Sequence, residues 1–221
     1  MQRFRILDRL LDLLYPPRCV FCREIIEREN GGICPDCREK LALLDNDLTM
    51  SGEFFERGAA CLPYSGSVRE SIHRFKFGGR KEYAGTYAQL LCNRAWDDGD
   101  ICSCDIVTSP PTNRRNIRKR GYDHAGLLAE RAAGLMGIGY VRCFEKSRET
   151  KAMFGLHPAE RRSNIMGAIA LAVPSEQIAE KNVLIIDDIF TTGATMSECA
   201  RVLKMGGAKK VFVLTVAKTE K

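Results

Sequence analysis

Two adjacent carboxylates, Asp187 and Asp188, stand between an apolar run and a short threonine-rich loop. The apolar run, residues 183–186, is typical of a strand buried on both faces of a parallel sheet. The loop contains Gly193 and three threonines, and a helix is predicted after it, over about 196–205. Backbone N–H groups at a helix start, threonine hydroxyls and a glycine that allows close approach suit a phosphate dianion. The carboxylates could hold sugar hydroxyls or Mg²⁺, so the segment predicts a sugar-phosphate site.

Three other interpretations of this segment are weaker. An apolar strand that ends in two acids also resembles a Walker B element, but the chain has no G-x-x-x-x-G-K-[ST] motif. The acidic pocket of a receiver domain would lie near the start of its domain, whereas these acids lie near the end of the chain. An ordinary turn is not expected to combine two acids, three threonines and one glycine in this order.

Four cysteines form a second candidate site, in two C-x-x-C turns. Cys19 and Cys22 form the first pair, and Cys34 and Cys37 form the second. Each turn places both thiolates on one side of a tight bend, and two facing turns complete a tetrahedral set of sulfurs that suits structural Zn²⁺. A redox role is disfavoured because neither pair opens a helix in a βαβ unit. Iron in the same cage stays an alternative.

Composition agrees with a compact α/β enzyme. The chain has 221 residues, and 34 Lys and Arg against 28 Asp and Glu leave a net charge of +6. This balance is modestly basic and does not by itself imply a nucleic acid partner. There is no run of 18 apolar residues, so no membrane span is expected.

Charged residues interrupt the leucines of residues 1–14, which argues against a signal peptide. An amphipathic helix packed on the protein is favoured there over a membrane-surface helix. Without a secretion signal, the ten cysteines are expected to be reduced thiols or metal ligands in a cytoplasmic protein.

The predicted elements divide the chain into a zinc module over 1–50 and a larger domain over 51–221. Strands are predicted over 59–64, 106–108, 140–144, 183–186 and 211–216, and helices over 68–77, 83–96, 196–205 and from an Asp123 cap to about 136. A further helix after Cys37 is predicted to end near Leu44, before a polar loop over 45–52.

The acidic strand and threonine loop resemble the 5-phosphoribosyl-1-pyrophosphate (PRPP) motif of type I phosphoribosyltransferases. Over about residues 13–217 the chain resembles the ComF family, competence-associated phosphoribosyltransferase-like proteins with an N-terminal zinc module. Three further stretches carry the likeness: residues 72–80 with Phe-Lys-Phe, 118–125 with Arg-Lys-Arg-Gly-Tyr-Asp-His-Ala, and 150–168 with Glu-Arg-Arg-Ser-Asn-Ile. The chain departs from the family pattern at Asp123 and His124, where the family has Asn-Gln, at Met153, and in the turn 109–112.

The resemblance implies a type I phosphoribosyltransferase-like parallel sheet flanked by helices, and it assigns roles within it. The 5-phosphate is expected on the loop Thr191, Thr192, Gly193, Ala194 and Thr195, and the pyrophosphate on the loop Ser109, Pro110, Pro111 and Thr112. Mg²⁺ would bridge ribose and pyrophosphate oxygens. The residues expected to act in catalysis are Asp187, Asp188, Arg148 and Lys151.

Two basic segments extend this interpretation. Residues 146–162 correspond to the family's mobile loop, and their cations are expected to bind pyrophosphate, although a solvated charged loop is the alternative. The cluster that ends in Arg120 is the most concentrated positive charge of the chain and suits phosphates of PRPP or of a polynucleotide.

Two functions follow from the resemblance. One is a Mg²⁺-dependent phosphoribosyltransferase with an unidentified acceptor. The other is a non-catalytic adaptor in DNA uptake that binds single-stranded DNA and a helicase partner. His73, with Phe75 and Phe77, could stack on bases, or could be a partly buried histidine among core aromatics.

Overall fold

The structure is a computed structural model that describes residues 15–42, 48–148 and 158–219. The predicted helix over 1–14, the predicted helix end at Leu44, the start of the 45–52 loop and the departure at Met153 lie outside the described residues. Lys151 also lies outside them, as do the side chains of Arg161 and Arg162.

Helices and strands alternate along most of the described chain. The helices are α1 (Pro35–Ala42), α2 (Gly66–Phe77), α3 (Tyr83–Trp96), α4 (Gly99–Cys102), α5 (Arg114–Arg120), α6 (His124–Met136), α7 (Pro158–Ile165) and α8 (Ala194–Met205). The strands are β1 (Thr49–Met50), β2 (Arg57–Pro63), β3 (Ile106–Thr108), β4 (Gly139–Tyr140), β5 (Phe144–Lys146), β6 (Ile169–Leu171), β7 (Asn182–Phe190) and β8 (Lys210–Lys218). In the described part of the chain, no helix is long and apolar enough to cross a lipid bilayer.

The main sheet has the strand order β1-β2-β8-β7-β3-β4, and its described neighbours are parallel except for β1 with β2. The chain passes from β3 outward to β4 on one side, and from β7 outward to β8 on the other. A ligand crevice forms at such a switch point, beyond the carboxyl ends of the strands. Thr108 pairs with Ile185, so the loop after β3 starts beside Asp187.

Each face of the sheet packs against its own helices. Because successive strand side chains point to opposite faces, Leu184 and Ile186 join the core under α2, α3 and α6, whereas Val183 and Ile185 join the core under α8. All four side chains are fully buried. Burying an aliphatic side chain stabilises the fold by about 1.5–3 kcal/mol relative to exposure, so β7 anchors both layers.

The predicted parallel sheet flanked by helices is confirmed, apart from the antiparallel edge strand β1, and several element bounds are confirmed with it. Helix α3 has the predicted bounds, and Asp123 caps α6 by accepting a hydrogen bond from the N–H of Gly126 at 3.2 Å. The predicted start of the helix at 196 was wrong by two residues, because α8 begins directly after Gly193.

The strand predictions needed larger corrections. The apolar run alone predicted a strand over 183–186, but β7 continues to Phe190 and carries both acids, because it keeps pairing with β8. The single strand predicted over 140–144 is two short strands, since β4 pairs with β3 and β5 pairs with β6 in a separate sheet. Helix α5 was not predicted, because its basic sequence has no apolar periodicity.

Candidate functional site

Asp188 is a buried carboxylate held between two helices. Its side chain points to the face of β7 covered by α2 and α6, and the residue is 1% exposed. Lys76, in the last turn of α2, places its Nζ atom 2.9 Å from Asp188 Oδ1. His124, at the start of α6, places its Nε2 atom 3.3 Å from Asp188 Oδ2. The acid therefore joins strand β7 to both helices.

The neighbour of His124 determines its tautomer. The Nη1 atom of Arg120 lies 3.0 Å from His124 Nδ1, and a guanidinium can only donate. Nδ1 must therefore accept, which leaves the proton of the neutral ring on Nε2, facing Asp188. Burial lowers the pKa of His124, and the charges of Lys76 and Arg120 lower it further against the opposing effect of Asp188. The imidazole is thus held neutral near pH 7.

The two adjacent acids have opposite pKa shifts. Burial alone would raise the pKa of Asp188, but the charge and hydrogen bond of Lys76 outweigh burial and hold it below its usual value. Burial, together with the charge of Asp188, raises the pKa of Asp187 to about 8. Asp187 Oδ1 accepts the backbone N–H of Asp188 at 2.8 Å. One charged and one largely neutral carboxyl therefore meet at pH 7.

Asp188 has spare hydrogen-bonding capacity. Its Oδ2 atom is buried, and the contact with His124 is close but not oriented as a hydrogen bond, so the atom has no hydrogen-bond partner among the described residues. A buried acceptor without a partner costs free energy that a ligand hydroxyl can recover. Such an atom fits the expected contact with a ribose hydroxyl.

The threonine loop forms the start of α8, as the motif predicts. Gly193 is the N-cap residue with φ +73°, and the first helical hydrogen bond runs from Ser197 N to Gly193 O at 2.8 Å. The N–H groups at the start of a helix have no intrahelical acceptor, so this loop presents donors to an anion. A Cβ atom on Gly193 would lie 2.6 Å from the Phe190 ring, which explains why glycine is required.

The predicted pyrophosphate loop lines an open chamber next to the crevice. The chamber has a volume of about 510 Å³ and is lined by residues 109–114, 117, 123, 140, 142 and 144–148. Thr112 Oγ1 donates to Asp123 Oδ1 at 2.7 Å, and Ser109 Oγ lies 3.0 Å from the Tyr140 hydroxyl. These contacts fix the loop. The acids of β7 and the threonine loop do not line this chamber.

Arg148 lies at the chamber rather than at the acids. Its Nη2 atom donates to Asn164 O at 3.1 Å and to Met166 O at 3.0 Å, so part of the guanidinium holds the C-terminal end of α7. Lys146 also lines the chamber, and burial lowers its pKa. Arg148 thus lines a space that suits an anion, although one of its guanidinium nitrogens already donates to the two carbonyls.

Lys76 and His124 were not among the predicted site residues. Lys76 lies in a stretch that carries the family resemblance, but no spacing rule relates it to an acid 112 positions later. The sequence showed no metal spacing for His124, yet ligand atoms of His124, Asp187 and Asp188 lie within 4.8 Å of one another. Only the contact between α2, α6 and β7 brings these groups together.

The predicted stacking residues differ in exposure. Phe75 is fully buried against Tyr87 and cannot stack on a base, so that part of the prediction was wrong. Phe77 is 58% exposed. Its ring lies 4.9 Å from that of His73 and 4.6 Å from the guanidinium of Arg120.

The four predicted metal ligands form one cluster. Ligand sulfurs of Cys19, Cys22, Cys34 and Cys37 all lie within 4.8 Å of one another, and the Cys22 and Cys34 sulfurs are 3.5 Å apart. Zinc–sulfur bonds of about 2.3 Å in a tetrahedron require sulfurs about 3.8 Å apart, so the cluster fits Zn²⁺. Although burial opposes it, backbone hydrogen bonds from Cys34 and Cys22 lower the pKa of Cys19 to about 7, which favours a thiolate.

Comparison with known protein families agrees with both sites. Residues 10–62 match the double zinc ribbon domain, and residues 119–221 match the phosphoribosyl transferase domain. The first match contains the four cysteines and the second contains the acids and the threonine loop. Together they support a structural zinc site and a phosphoribosyltransferase-like domain in one chain.

The chain is similar over most of its length to curated proteins of similar length. The chain is 26% identical over 228 residues to DNA utilization protein YhgH of Salmonella typhi, covering 94% of this chain and 99% of the relative. It is 24% identical over 221 residues to competence protein F of Haemophilus influenzae, covering 91% and 96%. A solved adenine phosphoribosyltransferase from Leishmania tarentolae aligns with a TM-score of 0.41 and 12% identity, covering 78% of this chain and 94% of that chain. The relatives confirm the predicted resemblance to the ComF family.

Proposed function

We propose that this ComF-family protein binds PRPP with Mg²⁺ in the crevice between β3 and β7 and transfers the phosphoribosyl group to an acceptor. The single observation that carries the proposal is Asp188, a buried carboxylate with an unsatisfied oxygen, on the strand that leads into the threonine loop at the start of α8. Two relatives are named DNA utilization protein YhgH and competence protein F, and on this basis we propose that the activity serves DNA uptake or processing in the cytoplasm.

Each part of the crevice has a distinct task in this proposal. The N–H groups at the start of α8 bind the 5-phosphate, and Asp187 and Asp188 accept hydrogen bonds from the ribose hydroxyls. The chamber cations Arg142, Lys146 and Arg148 receive the pyrophosphate. Carboxylate oxygens are suitable donors for Mg²⁺, which would neutralise charge on the pyrophosphate oxygens when bound.

The reaction breaks the bond from C1 of the ribose to the pyrophosphate oxygen, which leaves with the bonding electrons. Positive charge then develops on the sugar, and the acceptor attacks C1. The Asp188 carboxylate is fixed before the reaction by Lys76 and His124, so it can stabilise this charge without reorganising. Lys151, outside the described residues, remains a predicted catalytic residue.

Calorimetry with PRPP and Mg²⁺ tests the binding step, and ribose 5-phosphate serves as the comparison ligand. We expect PRPP to bind more tightly, because ribose 5-phosphate lacks the pyrophosphate. The variants Asp187→Asn and Asp188→Asn should each weaken PRPP binding about 10- to 150-fold, the cost of lost hydrogen bonds to a charged group. No heat at millimolar PRPP would contradict the proposal. A pyrophosphate-release assay across bases, amines and nucleic acids would then identify the acceptor.

A second candidate is an adaptor that binds single-stranded DNA and a helicase partner. The exposed Phe77 ring between His73 and Arg120 is a suitable stacking surface, and the exposed cations of α5, Arg114, Arg115, Arg118 and Lys119, lie on the same helix as Arg120. Phe77→Ala should weaken binding of single-stranded DNA about 5- to 100-fold. Trp96→Ala, at an equally exposed aromatic, is the matched control. Equal affinities for the two variants would contradict this candidate, and binding should fall steeply with salt.

Structural zinc in the module over 1–50 can be tested separately. Metal analysis should give one zinc per chain, and Cys34→Ser should lose it, whereas Cys199→Ser should keep it because Cys199 is buried in the core under α8. Iron instead of zinc in the purified protein would show that the site holds the alternative metal. Full metal content in Cys34→Ser would exclude these cysteines as the metal site.

A further inference from the structure

The first zinc-binding turn is attached to helix α2 by side-chain hydrogen bonds. Arg74 Nη2 donates to Val20 O at 2.9 Å and to Phe21 O at 2.8 Å, and these two residues lie between the metal-ligating Cys19 and Cys22. Ser71, one turn earlier in α2, donates from Oγ to Val20 O at 2.5 Å. Helix α2 therefore rests on carbonyl groups whose positions depend on the metal-binding turn.

The zinc-binding turn also shares a core with the larger domain. Val20 and Phe21 are buried at 2% exposure and pack in the same apolar cluster as Ile72 and Phe75 of α2. The N–H of Val20 donates to Gly32 O at 2.9 Å, which ties the first C-x-x-C turn to the segment before the second. A shift in either turn is consequently transmitted to the surface on which α2 packs.

The last turn of the same helix also reaches the proposed ribose site. Lys76 lies two residues after Arg74 and binds Asp188. Phe75, between them, packs edge-on against Tyr122 and His124, and the Tyr122 hydroxyl donates to the carbonyl of Phe75. The last turn of α2 thus fixes both side chains that contact Asp188.

We propose that Arg74 is a positioning residue: it transmits the placement of the zinc-binding turn through α2 to Lys76 and Asp188, so that zinc and PRPP binding are coupled. This coupling rests on the proposed function, because PRPP is one of the two ligands that it couples. Loss of zinc releases the first turn, which removes the acceptors of Arg74 and lets the last turn of α2 move away from Asp188.

Coupling between two sites is reciprocal, which gives a readout other than activity. If zinc tightens PRPP binding, PRPP must tighten zinc binding by the same factor. Measured couplings of this kind begin at about fivefold, so PRPP with Mg²⁺ should raise the protein's zinc affinity, measured against the chelator, by about that factor or more. The measurement is competition for zinc against a coloured chelator, with and without PRPP, on the full chain.

Arg74→Ala is the test variant, and Arg69→Ala on the exposed side of the same helix is the matched control. Arg74→Ala should keep one zinc per chain, should bind PRPP about tenfold more weakly, and should no longer respond to PRPP in the chelator competition. Arg69→Ala should behave as the wild type. Arg74→Lys, which keeps the charge and one donor, should recover part of the coupling and serves as the variant if Arg74→Ala does not fold.

A readout without PRPP separates this inference from the proposed function. Proton NMR can follow the titration of the His124 imidazole, whose surroundings include Lys76 and Asp188. In Arg74→Ala we expect the His124 pKa to rise, because Lys76 no longer stays beside it. If the wild type binds no PRPP, the proposed function fails. If the wild type binds PRPP, and Arg74→Ala matches it in PRPP affinity, zinc competition and His124 titration, the coupling is overturned.

Discussion

The two faces of β7 give adjacent aspartates different surroundings and opposite pKa shifts. On the face under α2 and α6, Asp188 meets Lys76 and His124 and has a lowered pKa. On the face under α8, Asp187 interacts with the buried Cys199, and burial together with the charge of Asp188 raises the pKa of Asp187 to about 8. Both residues are near the carboxyl end of one strand, so the packing helices rather than the residue type determine the charge.

This difference suits a site that binds a neutral sugar bearing two anionic groups. A single permanent carboxylate near the sugar, already neutralised by Lys76, does not repel the phosphate and pyrophosphate as strongly as two would. The second carboxyl can ionise when Mg²⁺ and ligand arrive. The following predictions test whether the two faces differ as described, from the largest expected effect to the smallest.

Asp188→Asn should destabilise the fold far more than Asp187→Asn. Removing one partner of a buried ion pair leaves the other uncompensated, and we expect a loss of about 3 kcal/mol because Lys76 keeps some exposure. Asparagine at 187 resembles the neutral acid and can still accept the N–H of Asp188, so its cost at pH 7 should stay below about 1 kcal/mol. Urea unfolding measures both, and equal costs would contradict the assigned charges.

Gly193→Ala tests the α8 face of the strand. The left-handed φ of +73° costs alanine about 1 kcal/mol, and contact with the partly exposed Phe190 ring adds about 1 kcal/mol, because that ring can shift. Gly137→Ala is the matched control, because Gly137 has φ +71° at the end of α6 but no atom within 4 Å of the added Cβ. Urea unfolding should show the larger loss at 193, and calorimetry should show weaker PRPP binding only there. Equal losses of unfolding free energy in the two variants would mean that the Phe190 ring moves aside at no cost.

The affinity for PRPP should rise with pH through the pKa of Asp187. Below about pH 8 the free protein holds Asp187 neutral, so binding that needs the carboxylate must first release a proton. Affinity should increase about fivefold from pH 7 to pH 8 and about tenfold in all, and should level off above about pH 9. The same raised pKa means that the stability contributed by neutral Asp187 is lost as pH rises through about 8. Asparagine at position 187 cannot titrate, so the Asp187→Asn variant should lack both the pH dependence of PRPP affinity and the pH dependence of stability that Asp187 causes. Titration and scanning calorimetry measure the two.

His124→Gln tests the α6 side of Asp188 and should give the smallest effect. The pKa of His124 is lowered in the folded state, so just below pH 6.5 the unfolded chain binds more protons. The free energy of unfolding should therefore fall as pH drops below about 6.5, by at most about 1.4 kcal/mol per pH unit from this group. Glutamine, the residue expected from the family pattern, should remove this slope, whereas replacing the exposed His73 by glutamine should leave it. A slope that survives His124→Gln must come from another group.

Local sequence patterns were sufficient to predict many of the helices and strands. The bounds of α3 followed from apolar periodicity, and the Asp123 cap followed from its residue type and position. The course of β7 past Ile186 was not predictable, because the acids interrupt the apolar run and only pairing with β8 carries the strand to Phe190. Helix α5 lacked any periodic signal, since nearly all its side chains are cations and it buries no residue.

The sequence by itself determined the four-cysteine cluster and the threonine loop at the start of α8, because each is made by residues close together in the chain. Two residues between cysteines position a pair of thiolates, and a glycine before a helix start exposes its N–H groups. Only the tertiary structure brought Lys76 and His124 to Asp188 and set the opposite pKa shifts of the two acids. Those properties depend on burial and on distances between side chains of separate elements, which no local pattern of residues records.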